Sequence, residues 1–104
     1  MYARLVKAHV KPGKYEIATR RIEEKVIPLL RKQKGFRDEV SFLDEDHEES
    51  VAISFWDTEA DMRLYEKDVY PELWKSMTDT FDGMPEVRHF EVANSTWHKI
   101  HAAR

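Results

Sequence analysis

Cysteine is absent from the 104 residues, which excludes disulfides, thiolate metal centres and cysteine nucleophiles. Glycine occurs three times and proline four, and neither clusters into a low-complexity linker or an internal repeat. Basic excess is also missing. The formal net charge is −3, which argues against the basic face of a nucleic-acid binder. No apolar run approaches the roughly 18 residues of a membrane span, and the N-terminus lacks an apolar signal region. The expectation is one soluble, cytoplasmic domain over residues 1–104, with no membrane or nucleic-acid partner.

What is present is a clear alternation of strand and helix patterns. Tyr2 to Val10 reads as a strand, with Val6, Ala8 and Val10 on one face and Ala3, Leu5, Lys7 and His9 on the other. Lys-Pro-Gly-Lys at 11–14 is a turn. Tyr15, Ala18, Ile22, Val26, Leu29 and Leu30 then recur at helical spacing up to about Lys34. Pro28 should kink that helix or end its regular part, and Gly35 suits its C-terminal cap.

Phe36 to Leu43 predicts a second strand with Phe36, Val40 and Phe42 on one face. The acidic run 44–49 is expected to be a hairpin loop before a third strand, Ser50 to Trp56. It lacks the spaced ligands and glycine turn of a calcium loop. Thr58 is a good N-cap, with Asp61 three residues on. The second helix should run from Glu59 to about Phe81, broken near Tyr70-Pro71, with Leu73, Met77 and Phe81 as its packing stripe. Glu86 to Val92 predicts a fourth strand, and Thr96 to Ala102 a short fifth one within a C-terminal segment of about 94–104.

Strand–helix–strand–strand–helix–strand is the split pattern of ferredoxin-like α+β folds, a βαββαβ chain with a four-stranded antiparallel sheet. The third strand is apolar on both faces: Val51, Ile53 and Phe55 on one, Ala52, Ser54 and Trp56 on the other. Two helices cover one face of such a sheet, so the other needs a cover. A homodimer with sheets packed face to face is the expectation.

Lys11-Pro-Gly13, Ile27-Pro-Leu-Leu30, Gly35-Phe36 and Ser54-Phe-Trp-Asp-Thr-Glu-Ala60 together resemble the antibiotic biosynthesis monooxygenase family of dimeric α+β barrels. The resemblance extends over about residues 1–93. It implies a pocket between sheet and helices, lined by the strand-end Trp56, with Ala52 and Ser54 leaving space beside it. The helix wall would come from Ala60, Leu64, Tyr65, Leu73, Trp74 and Met77. It also implies a cofactor-independent monooxygenase of a small aromatic or quinol-like substrate, with Tyr65, His9 or His89 handling the proton.

Alternatives are a non-catalytic small-molecule-binding dimer and an isomerase or haem-degrading relative of the same superfamily. Haem-degrading relatives place a histidine on the helix after the strand-end Trp and an asparagine on the first strand. Here no histidine occurs from Trp56 through Pro85, and the single asparagine is Asn94, so no cofactor is expected and haem is disfavoured. His98 and His101, three apart on a strand, would face opposite ways and make a poor metal pair. Ser54 lacks the glycine-flanked elbow of a hydrolase nucleophile.

Overall fold

The computed structural model describes residues 1–97. Its order is β1 (Tyr2–Val10), α1 (Tyr15–Arg21), a π-helical turn (Ile22–Val26), α2 (Ile27–Leu30), β2 (Phe36–Asp44), β3 (Glu49–Trp56), α3 (Glu59–Asp68), α4 (Tyr70–Lys75) and β4 (Phe81–Glu91). The four strands form one antiparallel sheet in the order β2-β3-β1-β4. The expected ferredoxin-like α+β fold is therefore present. The anticipated strand over 96–102 falls largely outside the described residues. No helix among the described residues is long and apolar enough to cross a membrane.

The first helical region is interrupted rather than continuous to Lys34. Pro28 has no N–H to give the carbonyl four residues back, and its ring crowds that carbonyl. The π-turn just upstream widens the ladder there, and helix ends at Leu30. Gly35 holds φ +79, and a Cβ there would lie 2.2 Å from the Asp61 carboxylate. Only glycine can make this approach of β2 to the start of α3. Thr58 caps α3 as expected, its hydroxyl accepting from the Asp61 N–H at 3.1 Å.

Two expectations about phase are corrected. The register slips between Phe36 and Asp38, because Arg37 is an extra residue that turns the alternation over. Phe36 thus lies opposite Trp56, meeting it edge-on at 5.6 Å. Val40 and Phe42 lie on the other face, opposite Ile53 and Val51. The second helical region ends at Lys75 rather than near Phe81, and Phe81 opens β4. Leu73, Met77 and Phe81 are all buried, but one comes from a helix, one from a turn and one from a strand. Gly83 and Pro85 lie inside β4, where an edge position tolerates a residue without an N–H.

The helices cover one face of the sheet in two buried clusters. Ala8, Val10, Ala18, Leu73, Met77 and Phe81 form one, and Leu30, Trp56, Met62 and Tyr65 the other. Trp56 and Met62 are wholly buried, each contributing roughly 1.5–3 kcal/mol by burial of apolar surface.

Candidate active site

Between the helices and the sheet lies a cavity of about 60 Å³, lined from both clusters. Its floor exists because β1 and β3 carry small inward residues, Ala8, Ser50, Ala52 and Ser54, which leave space under the helices. Its wall includes Tyr65, Tyr70, Trp74, Met77 and Phe81. Successive rings from Trp56 through Tyr65, Tyr70 and Trp74 to Phe81 stand 5.1 to 6.3 Å apart, so the cavity runs along an aromatic row.

Of the anticipated lining residues, Ala52, Ser54, Tyr65, Trp74, Met77 and Leu73 line the cavity. Trp56 does not. It is fully buried behind Tyr65, its indole N–H donating to Ser54 Oγ at 2.9 Å. Leu64 is 53% exposed and Ala60 is exposed. The phase set by the Thr58 cap turns Met62 and Tyr65 inward instead. His9 points away from the cavity, 3.1 Å from Glu48 and 3.8 Å from Asp82, because it shares the phase of Leu5 rather than that of Ala8. His98 and His101 lie outside the described residues.

His89 lies opposite Arg4 on the helix side of the sheet and is tied to the cavity indirectly. Its Nε2 stands 2.7 Å from Glu66 Oε2, and the same oxygen accepts from Arg4 Nε at 2.8 Å. Burial pushes the Glu66 carboxyl up, but the bonds from Arg4 and His89 outweigh it and the net shift is downward. Arg63 joins the outer side, 3.5 Å from Glu66 and 3.3 Å from Glu59.

Four polar lining residues were not anticipated: Ser50 in the floor, and Arg4, Tyr70 and Glu39. Arg4 is 2% exposed, with its guanidinium carbon 3.9 Å from the Tyr70 ring centre. Its place could have been read by extending the Val6–Ala8–Val10 phase of β1 one step back. Tyr70 lies just past the end of α3, where Pro71 breaks the helical ladder. Glu39 faces inward opposite Ser54, a position that depends on which face of β2 the pairing turns to the helices. Burial raises the Glu39 carboxyl, and the hydrogen bond it accepts from the Ser41 hydroxyl offsets only part of this. Tyr65 is pushed up to about 12 by burial, with the Arg4 charge pulling the other way. It therefore remains a phenol near neutrality, a donor rather than a base.

The donor set fits haem poorly. The cavity wall offers no imidazole, and its Tyr65 is held protonated. Among the described residues, no group of three or more His, Asp or Glu could hold a metal ion.

The family model described as antibiotic biosynthesis monooxygenase matches residues 1–90. No curated protein sequence matches the chain. Among solved structures, the fold is similar to that of a monooxygenase of Streptomyces coelicolor in complex with nanaomycin D, with a TM-score of 0.76 and 16% identity over 90% of this chain and 88% of that one. It is also similar to SnoaB, a cofactor-independent oxygenase of Streptomyces nogalater, with a TM-score of 0.72 and 12% identity over 91% and 95% of the two chains. A protein of unknown function from Nitrosomonas europaea has a TM-score of 0.74 at 14% identity, over 91% of each chain.

Proposed function

The chain belongs to the antibiotic biosynthesis monooxygenase family, and from that premise we propose that it is a cofactor-independent monooxygenase of a small aromatic compound bearing an acidic hydroxyl. The observation that carries this reading is Glu39, a carboxyl raised by burial and placed in an apolar, ring-lined cavity. A carboxylate of raised pKa in such a site is a stronger general base than one in water. In this reading Glu39 takes the hydroxyl proton, leaving an electron-rich anion beside the aromatic row. Dioxygen bonds to the activated ring carbon of that anion. One oxygen atom stays as a carbonyl, and the other leaves as water with two hydrogens of the substrate. The substrate supplies the electrons. The protein's part is to remove water, hold the ring and stabilise charge.

Tyr65 serves this scheme as a hydrogen-bond donor, and Ala52 and Ser54 as the small residues that make room. Trp56 supports the Tyr65 ring from behind rather than touching substrate. His89 acts through Glu66, and His9 has no part.

A second copy of this chain is the proposed cover for the far face of the sheet. Val40, Phe42, Val51, Ile53 and Phe55 share that face, Phe42 is 55% exposed, and Trp97 meets Phe55 edge-on at 5.7 Å. An apolar, antiparallel face of this kind is what symmetric sheet-to-sheet dimers bury.

The test is oxygen uptake by chelator-treated protein with a panel of quinols, anthrones and hydroxynaphthalenes. Glu39→Gln should lower the rate on the order of 100-fold or more, while His9→Ala should leave it within about twofold. Full uptake in Glu39→Gln would remove the carboxyl from the mechanism. No protein-dependent uptake across the panel would count against the oxygenase itself.

A further inference from the structure

Arg4 spends only part of its hydrogen-bonding capacity. Its Nε donates to Glu66, but its buried Nη2 meets no partner, and neither does the buried hydroxyl of Tyr70. The two groups belong to side chains in contact, since the guanidinium lies over the Tyr70 ring. Burial raises the Tyr70 phenol and Arg4 pulls it down through its charge and a weak hydrogen-bonding contact, but neither atom has a partner at full hydrogen-bond geometry. A buried cationic donor left unmet costs stability, and orphaned buried polar groups are rare enough that each calls for a reason. Both side chains line the cavity.

From this pairing we infer that Arg4 Nη2 and the Tyr70 hydroxyl form a subsite for a single anionic oxygen attached to an aromatic ring, a phenolate or an aryl carboxylate. A guanidinium N–H and a phenol O–H both donate, and an anionic oxygen accepts both at once. The ring of such a ligand has Tyr70, Trp74 and Phe81 to lie against. A positive charge held over a phenol ring is also kept from wandering, because Glu66 fixes the other edge of the guanidinium. Glu66 in turn is held by His89 from β4, so two strands and a helix set the direction of one N–H. Burial raises the Tyr70 phenol, which keeps the proton it would donate.

The inference rests on the proposed function only for the location of the pocket. It concerns what is bound and not whether dioxygen reacts. 4-Nitrophenol is a suitable probe because its anion is coloured and its own ionisation lies near neutrality. Added protein should shift the probe toward the coloured anion at a pH where it is mostly neutral in solution. Nitrobenzene, its neutral counterpart, should bind about tenfold more weakly than the anion.

Arg4→Gln should abolish the colour shift while leaving nitrobenzene binding within about twofold. Arg4→Lys should restore part of it, and Tyr70→Phe should reduce it severalfold. An unchanged shift in a folded Arg4→Gln protein would overturn the subsite. If that variant does not fold, an unchanged anion-to-neutral ratio in Tyr70→Phe would overturn it equally. Competition by 4-nitrobenzoate assigns the subsite to carboxylates as well as phenolates, and its absence restricts it to phenolates. Anion binding in a protein that consumes no oxygen with any substrate would uphold the subsite and sink the oxygenase reading. Oxygen consumption that ignores Arg4→Gln would do the reverse.

Discussion

The two faces of the sheet invert the usual expectation. The face under the helices carries Arg4, Glu39, Ser50 and Ser54 among its apolar residues, although cover is where polar groups cost most. The open face carries Leu5, Val40, Phe42, Val51, Ile53 and Phe55, although exposure is where apolar area costs most. Charge under cover is held there by specific partners, as Glu66 holds Arg4. Apolar surface without cover is what association buries. The contrast separates the face proposed to hold the chemistry from the face proposed to assemble the molecule.

The largest expected effect comes from breaking the open face. Ile53→Lys at its centre should weaken a sheet-to-sheet dimer about 100-fold or more, because a buried, unpaired ammonium costs several kcal/mol. Sedimentation velocity would read the change. A dimer of unaltered strength would show that the second copy sits elsewhere.

A smaller effect should follow from breaking the covered face. Glu66→Ala strands a guanidinium whose side chain is 3% exposed, and removing one partner of a buried pair costs about 3–5 kcal/mol. Glu66 is itself 27% exposed, so water can reach the gap and about 2 kcal/mol is expected in urea unfolding. An effect below about 0.5 kcal/mol would mean that Arg4 finds another partner.

The smallest effect sharpens the contrast through pH. The folded chain holds the Glu39 proton more tightly than the unfolded chain does. That stabilisation is complete below the ordinary glutamate pKa and is lost as pH rises through the raised value. Glu66 runs the opposite way, its contribution present above the ordinary value and lost as pH falls through the lowered one. Glu39→Gln should remove the first dependence and keep the second, with a change under about 1 kcal/mol at neutral pH. Urea midpoints measured from pH 4 to 8 would show a flatter profile just above the ordinary glutamate pKa. An unaltered profile would mean that Glu39 is solvated in the folded chain.

Local signals were enough for the elements and their order. The Thr58 cap, the helical spacing from Tyr15, the alternation of β1 and β3 and the break at Pro71 are each properties of a few neighbouring residues, and each is realised. The small residues Ala52 and Ser54 also announced the cavity they line. Trp56 shows the limit of such reading, because an aromatic at a strand end looks the same whether it faces a pocket or a packed core.

What the chain by itself determined was therefore the periodicity, the caps and the two-faced apolar character of β3, since these follow from backbone geometry and side-chain type within one segment. Tertiary structure alone decided that Trp56 packs behind Tyr65 instead of lining the cavity, that the slip at Arg37 sends Phe36 inward and Phe42 out, and that Arg4, Glu39 and Tyr70 meet at one cavity. Those outcomes depend on strand pairing between residues up to 89 positions apart, as in Tyr2 opposite Glu91. A one-residue change in register exchanges the two faces entirely.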